Sequence, residues 1–441
     1  LIAGILILTA ARHNGKGKMY EEHTLDNGLK VIVSHMPEMT SVSLGVWIGT
    51  GGRYEEEGNS GISHLIEHML FKGTEDRDAR ALKQSVEGIG GSFNGFTSDE
   101  VTCYMVKVPY KHFSLGMEIL SDMVLHPKFD EEELAREKFV VCEEIKMYRD
   151  QPSDHVMDLL AGLIWPDSSL GRPLTGKIRT VKGFSREDLI DFKRKNYHAG
   201  NTSVIVCGNI KPRRVADAVR RHFSELREKK PRLPEPVRVS LSGPRVKVTK
   251  SLTKQAHIAM GFPVNMQSVK DRFAVKLMNI ILGGNMSSRL FEHLRENKGL
   301  CYDVSSTYKR HSDAGEVHVH AGVDSRRSLL SIKSINEEIR VLKNKMVSEE
   351  ELYRAKEFIK GQFLLALEGT ATRMLWLGDR LMVHGRIPPV DSVLENINRV
   401  TSADVQKAAR DLFQSRIAHL ALIGSISAAE RAEIVKDLRS L

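Results

Sequence analysis

His64, Glu67 and His68 stand within one short run, His64-Leu65-Ile66-Glu67-His68. On a helix, positions four apart share a face, so both imidazoles can reach one ion. Glu67 lies beside the pair, where it can take a water proton without being forced to ligate. The order is HxxEH, the reverse of the commoner HExxH metal motif. The plain alternative is a pair of partly buried helix histidines. A catalytic metal needs a third protein ligand and an open position. The helix expected over Asp130–Tyr148 offers Glu137 and Glu144, two turns apart on one face and flanked by Phe139, Val140, Val141 and Ile145. A carboxylate on the inward side of an amphipathic helix is costly unless paired or bound to metal. Glu143 is the neighbouring choice, although it points about 100° away from Glu144. Without a metal, the same acids read as a solvated helix face.

A chain of 441 residues with 41% hydrophobic and 27% charged side chains is ordinary globular protein, which excludes collagen-like and largely disordered classes. Its length suits two or three domains, each with its own core. The formal net charge is +9, but basic residues alternate with acids and no Lys/Arg block is interleaved with aromatics. That pattern is a solvated surface rather than a nucleic-acid footprint. Cys103, Cys142, Cys207 and Cys301 are scattered with no CxxC pair, so they read as buried thiols in a reducing, cytoplasmic compartment. Leu1–Ala11 is apolar but too short to span a membrane, and Arg12 follows it rather than preceding it. Met19 is the expected start, with residues 1–18 outside the fold. No apolar run is long enough for a transmembrane helix.

The main composition break, Lys229–Pro244, holds Pro231, Pro234, Pro236 and Pro244 and reads as a linker. It separates an expected first domain, 19–228, from a second, 245–441. The halves repeat each other. Asp130-Glu-Glu-Glu-Leu134 recurs as Ser348-Glu-Glu-Glu-Leu352, 218 positions on, and Ser185-Arg-Glu-Asp-Leu189 recurs as Thr401-Ser-Ala-Asp-Val405, 216 positions on. Two separate anchors with nearly one offset indicate a duplicated domain. Strands fit Val31–Val33, Ser41–Ile48, Gly91–Thr97 and Thr102–Val108, and helices fit Ile62–Lys72, Ala79–Gly90, Lys111–Leu125 and Asp130–Tyr148. The second half repeats the scheme, including a helix over Ser288–Asn297. The fold class is α+β: two homologous domains, each a mostly antiparallel sheet with helices packed on it. The second copy lacks metal chemistry, since Gln362 and Ala355 stand where Glu144 and Glu137 stand in the first. His318 and His320 alternate on a strand and read as surface histidines lacking a carboxylate partner.

The run His64-Leu-Ile-Glu-His68-Met-Leu-Phe-Lys-Gly-Thr74, with Glu144 far downstream, resembles the pitrilysin/insulinase family of zinc peptidases over nearly the whole chain. It looks most like the shorter bacterial processing proteases and the catalytic subunit of mitochondrial processing peptidase. The resemblance implies one Zn2+ per chain held by His64, His68 and Glu144, with Glu67 as general base and Glu137 orienting a ligand histidine. Ser92-Phe-Asn-Gly-Phe-Thr97 resembles the family's active-site strand, which would place Asn94, Gly95 and Phe96 along an extended peptide. Gly95 departs from the family's usual alanine. The stretch from Ser288 to Tyr302 resembles the family's Arg/Tyr element, so Arg295 and Tyr302 would donate to the substrate carbonyl and the oxyanion. Peptide substrates and a homodimer are the implied partners, a heteromeric partner being the variant of that arrangement. The rival reading is a non-catalytic binding or assembly subunit.

Overall fold

The computed structural model describes residues 19–239, 243–251, 253–265 and 271–441. Residues 1–18, expected to be an extension, lie outside the described residues, as do 240–242 of the expected linker. The first half runs β1 (Glu21–Thr24), β2 (Lys30–His35), β3 (Ser41–Ile48), α1 (Ile62–Leu70), α2 (Ala79–Glu87), β4 (Ser92–Thr97) and β5 (Thr102–Pro109). It continues through α3 (Phe113–Leu125), α4 (Glu131–Asp150), α5 (Pro152–Ile164), α6 (Ile178–Gly183), α7 (Arg186–Asn196), β6 (Thr202–Gly208) and α8 (Pro212–Phe223). The second half holds β7 (Arg245–Thr249), β8 (Gln255–Asn265), α9 (Arg272–Gly283), a π-helix (Phe291–Asn297), β9 (Cys301–Arg310) and β10 (Ala314–Asp324). Then follow α10 (Ser328–Asn344), α11 (Glu349–Ala366), α12 (Thr370–His384), α13 (Val390–Arg399), α14 (Ser402–Leu412), β11 (His419–Ile423) and α15 (Ala428–Arg439).

Two sheets carry these helices, ordered β1-β2-β6-β3-β5-β4 and β7-β11-β8-β10-β9. The repeat seen in the sequence is a repeat of topology. In each half one strand joins in parallel, β2 to β6 and β7 to β11, and the other pairs are antiparallel. Matching caps start matching helices. Ser185 with Asp188 and Thr401 with Asp404 form capping boxes on α7 and α14. Asp130 accepts from Glu132 and Glu133 at α4, and Ser348 accepts from Glu351 at α11. The acidic first turns complement the helix dipole.

Each sheet packs its own helices on one face, Leu44, Val106, Leu65 and Met117 in one core and Ile258, Val319, Leu277 and Ile335 in the other. The opposite faces are closed reciprocally. Helix α5 of the first half lays Val156, Leu160 and Ile164 on Ala259 and Ala421 of the second sheet. Helix α12 of the second half lays Met374, Leu377 and Leu381 on Ile32, Trp47 and Ile205 of the first. Neither helix is singled out by the sequence reading, because their apolar residues are shared with a surface that only the paired halves create. Polar bonds cross the same seam: Ser43 with Thr370 at 2.9 Å, and Trp165 donating to Glu316 at 2.9 Å. Buried Arg53 bonds Glu100 (2.6 Å), Asp313 (2.7 Å) and the Glu235 carbonyl (2.8 Å), tying both halves to the connecting segment. The strap between the halves is thereby fastened rather than free: Val237 donates to Asp313, and Val237 and Val239 pack beside α5. No helix among the described residues is long and apolar enough to cross a membrane.

Candidate metal centre

Helix α1 is pinned at its start. Gly61 has φ 95°, and a Cβ there would lie 2.7 Å from the Thr175 carbonyl oxygen, so only glycine fits the approach. The buried Glu55 carboxylate accepts from the Gly61 and Ser63 amides at 2.7 and 2.9 Å, closing the orphan donors of the first turn. Ile62, Leu65, Ile66 and Met69 enter the core, which leaves His64, Glu67 and His68 on the face toward α4 and β4.

Ligand atoms of His64, Glu67 and His68 lie within 4.8 Å of one another. From α4, a Glu144 oxygen comes to 3.7 Å from His64 Nε2 and 3.6 Å from His68 Nε2. These separations are too long for good hydrogen bonds and suit donors grouped around one ion at about 2.0–2.2 Å each. Two imidazoles and a carboxylate are zinc-type donors. Glu137, 4% exposed, accepts from His68 Nδ1 at 3.0 Å and pairs with Lys72 at 2.5 Å. That bond fixes His68 so that Nε2 faces Glu144. Glu143, the alternative acid, faces outward and pairs with Lys146 at 2.6 Å.

Protonation follows the same geometry. Burial, then the neighbouring His68, pushes the His64 pKa down to about 4, leaving its imidazole neutral and free to ligate at neutral pH. Burial opposes a charge on His68, but the Glu137 bond and the Glu67 and Glu144 carboxylates outweigh it and raise its pKa. Burial raises the Glu67 carboxyl, with Glu144 adding to the shift, so its affinity for a proton is enhanced. Burial would also raise Glu137, but His68 and Lys72 hold it below the usual carboxylate range.

Strand β4 borders this cluster and is an edge strand of its sheet, paired with β5. A Cβ on Gly95 would meet Glu67 Oε1 and the Phe71 ring, both at 2.9 Å, so the glycine gives Glu67 room. The Asn94 side-chain oxygen turns back to accept from the Gly95 amide at 2.8 Å, and Phe96 packs edge-on against Trp47 at 5.6 Å between centroids. Arg295 and Tyr302 stand against each other: the guanidinium lies 5.2 Å from the Tyr302 ring centroid and 4.5 Å from that of Phe291. Tyr302 is 80% exposed at the start of β9, an edge strand of the second sheet. Arg295 sits on a π-helical turn where periodicity predicts an α-helix.

Two further residues shape the centre. Lys72 is one turn beyond His68, and that spacing is the only sequence signal for it. Glu55 has none, because its partners are backbone amides. His318 and His320 are not surface histidines: they are only 13% and 17% exposed and lie 3.4 Å from Glu316 and 3.7 Å from Asp303. Helix α5 covers that face of the second sheet, and the strand pattern does not reveal it.

The fold is shared with a protease from Helicobacter pylori, with TM-score 0.86 and 22% identity over 92% of this chain and 99% of that one. A structure described as a peptidase M16 inactive domain from Pseudomonas fluorescens aligns with TM-score 0.84, at 18% identity, over 93% and 99% of the two chains. Among the described residues the His-Glu-His cluster of this duplicated α+β fold lies in the first half. A family model described as insulinase (peptidase family M16) matches residues 30–177, and one described as peptidase M16 inactive domain matches 183–359. The uncharacterized zinc protease YmxG of Bacillus subtilis is 36% identical over 406 residues, 92% of this chain and 98% of that protein. An uncharacterized zinc protease of Rickettsia felis is 33% identical over 406 residues, 91% and 96% of the two chains. The chain belongs to peptidase family M16, the insulinase family.

Proposed function

We propose that the protein is a zinc-dependent endopeptidase acting on short or unfolded peptides. One observation carries the reading: two neighbouring imidazoles and a carboxylate from another helix converge, with Glu67 beside them and Glu137 fixing His68. His64, His68 and Glu144 would hold one Zn2+, which when bound makes a water more acidic and polarises the scissile carbonyl. Glu67, its proton affinity raised by burial, takes the proton of the attacking water and returns it to the leaving amine. The free edge of β4 receives the peptide as an added strand along Asn94, Gly95 and Phe96. Arg295 and Tyr302, as donors from the second half, steady the carbonyl and the developing oxyanion.

A non-catalytic assembly role has no use for this constellation. The name "inactive domain" belongs to a match that begins at residue 183 and so excludes the His64 cluster. We place the chain in a homodimer. Val140 and Met147 on α4 and their repeat counterparts Phe358 and Leu365 on α11 are exposed apolar side chains that support association. Unpaired thiols at Cys103, Cys142, Cys207 and Cys301 support a reducing, cytoplasmic compartment. Hydrolysis of quenched fluorescent peptides, with metal analysis of the same samples, tests the central reading. Activity with about one zinc per chain is expected; a zinc-loaded wild type inert toward a broad peptide library would refute it.

A further inference from the structure

A second cluster of charge shares no residue with the metal centre, and it is one-sided. Arg272 and Lys276 are one turn apart on α9, Arg380 and His384 one turn apart on α12, Arg310 ends β9, and Arg386 follows α12. They share one seam. Arg272 has Arg380 and Arg386 as like-charged neighbours, Lys276 has Arg380 and Arg272, and Arg310 has Arg272 and Arg380. Against these cations stands Asp379, 3.5 Å from Arg380 Nε. Asp271, next along the chain, is occupied as the cap of α9, accepting from Phe273 and Ala274 at 2.8 and 3.2 Å. Glu100 is committed to Arg53 and Ser312.

No missing carboxylate can restore the balance. Residues 1–18, 240–242, 252 and 266–270 contain no aspartate or glutamate. Two polar atoms of the cluster, Arg310 Nε and His384 Nδ1, are buried without a hydrogen-bond partner among the described residues. Burial and then Arg310, Arg380 and Arg272 push the His384 pKa down to about 3, so the histidine stays neutral and adds no repulsion. Buried donors are ordinarily satisfied, and clustered guanidinium groups are suited to bidentate oxyanions.

We propose that this seam binds a multivalent oxyanion, bearing phosphate or carboxylate groups, between α9, α12 and the end of β9. The ligand answers both anomalies, the excess positive charge and the unpartnered donors. It would also reinforce the crossing of the halves, because α12 lies on the first sheet while α9 and β9 belong to the second domain.

Thermal unfolding of the full zinc-loaded chain tests the site, comparing inorganic phosphate with chloride at matched ionic strength. A third sample holds a tetraglutamate peptide of D-residues, which resists cleavage. A rise in Tm of at least about 2 °C over chloride is expected with a binding anion. The double variant Lys276→Gln/Arg386→Gln alters exposed side chains, so folding is preserved, and it should lose at least half of that rise. A rise with phosphate alone assigns a small phosphate ligand; a rise with the peptide alone assigns an acidic stretch of polypeptide. Equal midpoints in all three solutions, or a double variant that responds as the wild type does, would overturn the site. None of these readouts requires peptidase activity, so the site and the peptidase reading fail separately.

Discussion

Glu67 and Glu144 are both half-buried acids within reach of the same imidazoles, yet their proposed tasks differ, and single substitutions separate them. Glu67→Gln should keep its zinc and lose about 10²–10⁴-fold in turnover, because the base goes while the three ligands stay. Retained activity would remove Glu67 from the mechanism. Glu137→Gln acts through His68, and weakening that bond should reduce zinc affinity by about 10–100-fold, read in a chelator competition. An unchanged affinity would make the 3.0 Å contact incidental. Arg295→Ala should slow turnover with zinc content intact; parallel loss of zinc would place Arg295 elsewhere. Motif spacing made His64, Glu67 and His68 legible, since i, i+4 geometry is local. Helix periodicity left Glu143 and Glu144 both open and the family resemblance pointed to Glu144, whereas Lys72 as the partner of Glu137 needed the contact itself.

At the scale of elements, α12 carries the most informative test. Gly378 lies flat against Trp47, where an added Cβ would stand 2.1 Å from the indole. Gly378→Ala should therefore overpack the crossing and cost about 1–3 kcal/mol in chemical denaturation. A cost below about 0.5 kcal/mol would mean that α12 does not press on the first sheet. Strands and capped helices such as α4 and α11 were readable because caps and period are written locally. Helices α5 and α12 were not, since each takes its apolar face from the other half of the chain.

The molecule as a whole should respond to acid through His419, fully buried on β11 with neither ring nitrogen hydrogen-bonded among the described residues. Burial, then the charge of Arg245, pushes its pKa down to about 4. The folded value lies below the unfolded one of about 6.5, so the native state favours the neutral ring. Stability is therefore complete above pH 6.5 and declines as pH falls toward 4, by about 3 kcal/mol for this group. Denaturation of the metal-free protein between pH 7 and 4 should show a shallower decline for His419→Leu; identical slopes would mean that the ring accepts a proton without penalty.

The sequence by itself determined the duplication, the α+β class and the imidazole pair with its adjacent acid, because each rests on residues within a few turns of one another or on a repeated pattern. Tertiary structure alone decided how α5 and α12 trade places between the sheets and where unbalanced arginines gather, and it set one Glu144 oxygen 3.6–3.7 Å from both imidazoles. Those outcomes depend on distances between segments far apart in the chain, and such distances exist only once the two halves have packed against each other.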